Sequence, residues 1–252
     1  MKVLTNLAVV IALTLQFATP THADVVGFSI GAYYWSPELS GDFSSTGGSE
    51  IDLSDDLDVD DPTSSSYVIT LEHPVPLLPN IRYQDLELDS DGKNQLSNSI
   101  SFEGQTYAAG ETVRSEFDLS HDDIVLYYEV LDNWVNLDIG LNLKLFDGEV
   151  SMVGSTNSTE SSIDVDETIP LLYLSARFDL PLSGLYLGTN ISSLSLDDSS
   201  ADDIAVYLGY QSGIRLGIEG GLRTFSLELD DVNDLDSDLE YDGAFVNGFL
   251  RF

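Results

Sequence analysis

The chain has no cysteine, which excludes disulfides and thiolate metal sites without fixing the compartment. Positive charge is nearly as scarce. Nine Lys and Arg stand against 44 Asp and Glu, a formal net charge of -35. Nucleic acid and anionic membrane surfaces are held by clustered Lys and Arg, so neither is an expected partner. Histidine is thin too: beyond residue 23 there are only His73 and His121. Helical periodicity is almost absent, and no later run approaches the roughly 20 apolar residues of a membrane-spanning helix. Aromatic and β-branched residues are nonetheless plentiful, unlike in a disordered acidic tail. At 252 residues there is room for one all-β domain.

What is present begins with an export signal. Met1-Lys2 supplies a positive start, Val3 to Ala18 an apolar stretch, and Thr21-His22-Ala23 a small residue before a cut at Asp24. Thr5, Asn6 and Gln16 interrupt the apolar run and argue against a membrane anchor. Residues 1–23 therefore read as a signal peptide and 24–252 as the mature domain.

Strict alternation dominates that domain. From Trp134 to Phe146, Val135, Leu137, Ile139, Leu141, Leu143 and Leu145 share one face, while Asn136, Asp138, Gly140, Asn142 and Lys144 share the other. A soluble sandwich alternates with its apolar face inward. A membrane barrel does the reverse, with lipid outside and a polar lumen. Ten segments carry the pattern: Val25–Trp35, Ser66–His73, Asn80–Leu88, Val113–Leu131, Trp134–Phe146, Thr168–Phe178, Leu185–Leu196, Asp203–Gln211, Ile214–Leu227 and Tyr241–Phe252. Most reach the about 9–11 residues of a tilted membrane strand. The third loses its alternation at Leu86 and Leu88 and the seventh near Leu194, so eight strands is the alternative to ten.

Connection length decides for the membrane. Pro74–Pro79, Asp132-Asn133, Leu180–Gly184 and Gln211–Gly213 are short, while Ser36–Ser65, Asp89–Thr112, Asp147–Glu167, Ser195–Asp202 and Glu228–Asp242 are long. Short turns at one end and long loops at the other are the habit of outer-membrane barrels, with turns in the periplasm and loops outside. The acidic charge follows the same division, with Ser36–Ser65 rich in Asp and Glu and free of Lys and Arg.

The final strand alternates through Ala244, Val246, Gly248, Leu250 and Phe252 to the end of the chain. Here the sequence resembles bacterial outer-membrane barrels, whose assembly machinery recognises a terminal strand ending in an aromatic residue. The length, Asn80 after Pro74-Val75-Pro76-Leu77-Leu78-Pro79, and Gly220-Gly221 also resemble a family of small outer-membrane proteins marked by a Gly-Gly pair. That resemblance covers the whole mature chain. It implies a barrel and a location and brings no known activity or catalytic residue. Phe28, Tyr83, Tyr128, Phe178, Tyr210 and Phe252 are expected near the turn ends, as an aromatic girdle at the membrane interface.

The inward faces carry the chemistry. Arg215, Glu219 and Arg223 are expected to form a lumen charge network, since buried charges need partners. Lys144, Arg177 and Arg251 are placed inward beside Asp138, Glu129 and Asp179. Tyr33, Tyr127, Phe146, Tyr173, Tyr186, Tyr207, Phe225, Phe245 and Phe249 should narrow or close the lumen. His121-Asp122-Asp123 echoes the rim Asp and His of ten-stranded outer-membrane proteases, but no second rim Asp pair accompanies it. Asp52–Asp61 offers oxygen for loose divalent cations without the spacing of an EF-hand loop.

The sequence thus leads to an all-β transmembrane barrel in the bacterial outer membrane. Its expected partners are outer-membrane lipid and lipopolysaccharide, the barrel-assembly machinery and loose divalent cations. No cofactor, resident metal or catalysis is expected. Its role reads as structural or as a narrow small-solute channel, with a rim-site hydrolase or protease and a surface-loop adhesin or receptor as alternatives.

Overall fold

The computed structural model describes residues 26–156, 160–197, 199–232 and 235–252, so the proposed signal peptide lies outside the described residues. In chain order the strands are β1 (Gly27–Ser45), β2 (Ile51–Asp52), β3 (Ser64–Glu72), β4 (Asn80–Leu86), β5 (Asp89–Gln95), β6 (Ile100–Phe102), β7 (Gln105–Tyr107), β8 (Thr112–Asp118) and β9 (His121–Asp132). They continue with β10 (Val135–Phe146), β11 (Gly148–Gly154), β12 (Glu160–Val165), β13 (Thr168–Asp179), β14 (Leu185–Leu196), β15 (Ser199–Gln211), β16 (Leu216–Val232) and β17 (Leu235–Arg251).

Ten of these close a barrel. The antiparallel order β17-β16-β15-β14-β13-β10-β9-β4-β3-β1 returns on itself because β17 also pairs β1, from Ser29↔Arg251 to Ser45↔Leu235. Closure matters because a strand edge facing hydrocarbon would leave unpaired N–H and C=O groups. The terminal residue completes the seam: the Phe252 amide donates to the Phe28 carbonyl at 2.7 Å. The third and seventh segments are genuine barrel strands, β4 and β14, so the count is ten and not eight.

The outer face is as expected through the lower barrel. Ile139 and Leu141 on β10, Val206 and Leu208 on β15, and Val246 and Leu250 on β17 are all exposed, together with Phe252. A closed barrel whose exposed belt is Leu, Ile, Val and aromatic rings is built to face lipid. Phe28 and Phe252 meet in a tilted pair, 6.0 Å between centroids, at the turn end, where Trp134 and Phe178 also meet. Tyr83 does not belong there: it contacts Tyr67 and its hydroxyl donates to Asp122 at 2.7 Å, on the loop side.

The loop end corrects the sequence reading. Residues 36–45, 228–232 and 235–242 are not loops but continuations of β1, β16 and β17 beyond the apolar belt. Two other long connections also form structure, and the expected fourth strand Val113–Leu131 divides: its front part, β8, joins β5, β11 and β12 in a four-stranded sheet in the order β12-β11-β8-β5, and only β9 enters the barrel. In these extensions the faces exchange roles. On β1, exposed Ile30, Ala32 and Tyr34 give way to exposed Ser36, Glu38 and Ser40, while Leu39 and Phe43 turn inward. On β17, exposed Asp238, Glu240 and Asp242 flank buried Leu239 and Tyr241. Water outside and an apolar interior replace lipid outside and a polar lumen.

The inward apolar residues meet as one core. Phe43 packs edge-on against Phe102 and Phe117, at 5.6 and 5.1 Å between centroids. Ile51, Leu53 and Leu57 of the acidic 51–61 segment are buried in the same core, so this segment is anchored instead of drifting as a solvated loop. Its carboxylates also shape it: Asp52 accepts the Ser54 and Asp55 amides, and Asp61 accepts the Leu39 amide.

Candidate functional site

The lumen is layered, and each layer follows from the residues that the alternation turns inward. Beneath the apolar cap lies a ring layer of Trp35, Phe146, Phe225 and Tyr241, with Phe225 and Tyr241 stacked at 6.0 Å. Next comes a layer of charge. The Lys144 ammonium sits 2.9 Å from Asp123 and 2.8 Å from Asp203. Arg223 forks onto Asp203 through two hydrogen bonds, Nε to Oδ1 at 2.9 Å and Nη2 to Oδ2 at 2.6 Å, and reaches Asp123 at 3.5 Å. Two cations and two carboxylates cancel, which is what allows Lys144 to have no exposed surface. Aromatic faces add to this: Arg223 lies over Trp35 at 4.8 Å and Lys144 over Phe225 at 4.7 Å.

This network differs from the expected one. Arg215 is exposed in the turn before β16, with a left-handed φ of 69°, and does not reach the lumen. The turn holds Arg215 through its backbone: its amide donates to Ser212 and its carbonyl accepts from Arg251. Inward alternation therefore starts at Gly217, one inward position later than Arg215, where the sequence reading placed it. Glu219 is inward but accepts from the Tyr186 hydroxyl at 2.8 Å and Asn247 Nδ2 at 2.9 Å, not from Arg223. Of the three expected residues only Arg223 belongs to the central layer. Asp203, its main partner, carries no signal in the sequence, because it opens its segment directly after Asp202 and reads there as loop charge. Lys144 likewise pairs with Asp123 and Asp203, not with Asp138, Glu129 or Asp179. Arg177 does meet Asp179 at 2.6 Å, and Arg251 meets Glu72 at 2.7 Å.

His121 and Asp123 are brought together, as the catalytic alternative needs, but inside the barrel. His121 Nε2 lies 3.0 Å from Lys144 Nζ and Nδ1 lies 2.9 Å from the Leu119 carbonyl. An imidazole that donates through Nδ1 and accepts the lysine proton through Nε2 is neutral, with both nitrogens occupied. Phe146 and Phe225 pack on its ring, at 4.7 and 5.5 Å.

Below the charged layer the lumen widens. A small chamber of about 50 Å³ borders Asp123, Asn142 and Arg223. It leads to a cavity of about 780 Å³ with His73, Asn133 and Phe252 at its turn-end mouth. The cavity wall carries Glu72, Glu129, Asp132, Asp138, Asp179 and Glu219 against Arg82, Arg177 and Arg251, an excess of three carboxylates. Tyr127, Tyr173, Tyr207 and Phe249 contribute ring surface. The molecule is thus a cup, packed at the loop end and open at the turn end.

Gly220 and Gly221 also separate in role. A Cβ on outward Gly220 would meet nothing closer than the Phe245 carbonyl at 3.6 Å. One on inward Gly221 would collide with the Val206 carbonyl and Tyr207 Cα of the adjoining strand. Gly221 is required by close backbone approach.

No protein-family model matches the chain, and no curated protein matches it. Among solved structures, the outer-membrane protease OmpT of Escherichia coli superposes with a TM-score of 0.50 at 13% identity, over 93% of this chain and 99% of that one. The transport unit of the autotransporter AIDA-I of Escherichia coli gives 0.41 at 10% identity, over 98% and 95%. The translocator domain of NalP of Neisseria meningitidis gives 0.40 at 12% identity, over 100% and 98%. The fold is that of a bacterial outer-membrane β-barrel, in agreement with its lipid-facing belt.

Proposed function

We propose that this protein is a sealed, non-catalytic barrel of the bacterial outer membrane, exported by residues 1–23, with its acidic cap outside and its cup facing the periplasm. The observation that carries this reading is the unbroken packing across the lumen. Lys144, Phe225, Trp35 and Leu171 have no exposed surface, and the cap core lies above them. A conduit for solutes needs a wet path, and buried ion pairs under stacked rings do not offer one. Between the two roles foreseen from sequence, this favours the structural one over the channel. On the same reading, lipid and lipopolysaccharide surround the apolar belt, and the assembly machinery reads the strand ending in Phe252. The resemblance to the Gly-Gly family fits as well, since Gly221 is a position that only glycine fills.

The test is conductance in planar bilayers. Purified protein should insert without discrete current steps. Reproducible steps from the unmodified protein would overturn the sealed reading and restore the channel. A second reading, presentation of a recognition surface, is favoured by the folded cap: anchored loops form a fixed acidic platform. Trimming 46–61 should then abolish binding to the recognised surface while the barrel keeps its heat-modifiable migration.

A further inference from the structure

The four turns at the lower end of the barrel, residues 73–79, 133–134, 180–184 and 212–215, have a composition ill suited to water. Each carries a large apolar side chain in the open: Leu77 is 90% exposed, Leu182 108%, Ile214 79% and Trp134 60%. Val75, Leu78 and Leu180 are exposed beside them, and Val26, Phe28 and Phe252 complete the rim where the chain ends meet. Single exposed apolar residues are ordinary, but a whole rim of them marks a contact surface. Two further features are independent of exposure. Leu77 and Leu182 adopt left-handed φ of 71° and 66°, a conformation that suits glycine and is costly for leucine. Leucine therefore stands there against the preference of the turn itself. Charge is the other feature. The chain has 44 Asp and Glu, yet these four turns contain none, and their one formal charge is the exposed Arg215.

We propose that this rim of turns is set into the inner leaflet of the outer membrane, against phospholipid, and does not stand free in the periplasm. Continuity with the lipid-facing belt selects that occupant. The hydroxyl of exposed Tyr128 donates to the Leu77 carbonyl at 2.9 Å, and Trp134 meets Phe178 edge-on at 5.3 Å, so belt and turns form one apolar surface. The leucine and isoleucine tips then lie about 5–10 Å into the boundary between headgroups and acyl chains. Trp134 occupies the half-wet layer that indole favours. Arg215 keeps its stem along hydrocarbon and presents its guanidinium to a lipid phosphate. The turn backbones tolerate this depth because they bond locally: Leu180 donates to Leu185, Ser183 to Leu180, Ser212 to Leu216 and Arg215 to Ser212. The mouth of the cup, beside His73 and Asn133, accordingly opens at the level of the headgroups. The inference rests on the outer-membrane barrel with its turn end inward, and not on whether the lumen conducts.

Trp134 reports on the rim without any substitution, since the other tryptophan, Trp35, has no exposed surface. The full mature protein is reconstituted in phosphatidylcholine vesicles whose lipids carry a nitroxide either near the headgroup or near the chain end. Tryptophan fluorescence should fall severalfold more with the shallow nitroxide, and that component should vanish in Trp134→Phe. Leu77→Cys and Leu182→Cys, each labelled with an environment-sensitive fluorophore, extend the reading to the tips. Leu141→Cys in the belt and Asp55→Cys on the cap serve as references. The shallow nitroxide should dim both turn labels, the deep one should dim Leu141→Cys, and neither should dim Asp55→Cys, with heat-modifiable migration kept throughout. Turn labels and Trp134 that stay bright with both nitroxides, while Leu141→Cys is quenched, would overturn the proposal and leave the rim as a surface for a periplasmic protein. A bright Leu141→Cys label is a different failure, because it would defeat the lipid-facing belt and with it the barrel reading itself.

Discussion

Lys144 shows what a single residue does in this lumen. It is the ammonium between two buried carboxylates, with His121 as its third contact. Removing one member of a buried ion-pair group strands the others, at a cost of about 3–5 kcal/mol. Lys144→Ala should therefore lower the temperature at which the folded, fast-migrating gel band converts to the unfolded one, and Asp203→Asn should do the same. An unchanged conversion temperature in both would mean that the layer contributes little. Gly221→Ala should reduce the folded fraction sharply and Gly220→Ala should not, read on the same gel. Residue-level legibility was uneven. The outward faces of β10 and β17 were legible because lipid permits only apolar side chains there. Arg215 was misplaced because alternation by itself does not reveal where a turn ends. The partnership of Arg223 with Asp203 was hidden because pairing between neighbouring strands depends on register, and register is not written in either strand alone.

At the scale of the element, the instructive strands are those whose pattern changes along their length. The broken alternation at Leu86 and Leu88 is no defect. Asn80, Arg82 and Gln84 line the lumen, and the same face becomes apolar as it enters the cap. Leu194 on β14 marks the same passage, packing on the cap core below the loop. Membrane and soluble patterns of alternation coexist within one strand: β1, β16 and β17 follow the first in their lower part and the second above it. The cap sheet has its own electrostatics. Glu111 accepts the Thr156 and Ala108 amides, which hold its carboxyl below the usual range. Its contribution to stability is present above the unfolded carboxylate value and lost as pH falls through the lowered one. Asp89 is the opposite case, pushed up by burial and by Asp118 and Asp91 beside it. It opposes folding at neutral pH, and that penalty is relieved as pH falls through its raised value. Amide exchange across 112–118 should accordingly slow a few-fold in Asp89→Asn and quicken in Glu111→Gln at neutral pH. Both differences should shrink in acid, and differences independent of pH would contradict the assignment.

At the scale of the whole molecule, one closed wall serves two solvents. Its lower part presents apolar side chains to lipid and encloses charge and water-sized space. Its upper part presents Asp and Glu to water and encloses Leu and Phe. The net charge of -35 is thus largely a property of the cap and not of the belt. The barrel, its strand number and its lipid belt were legible from alternation, connection length and the terminal strand. The cap was not, because its core residues are scattered singly through acidic stretches where each looks incidental.

The absence of cysteine permits the most direct test of the central claim, a barrel with its cap outside and its cup inside. A single thiol is introduced as Asp55→Cys on the cap or Asn133→Cys at the mouth, and intact cells are treated with a maleimide too large to cross the outer membrane. The account predicts modification of Asp55→Cys in intact cells, and of Asn133→Cys only after the outer membrane is permeabilised. Modification of both in intact cells, or of Asn133→Cys alone, would contradict it.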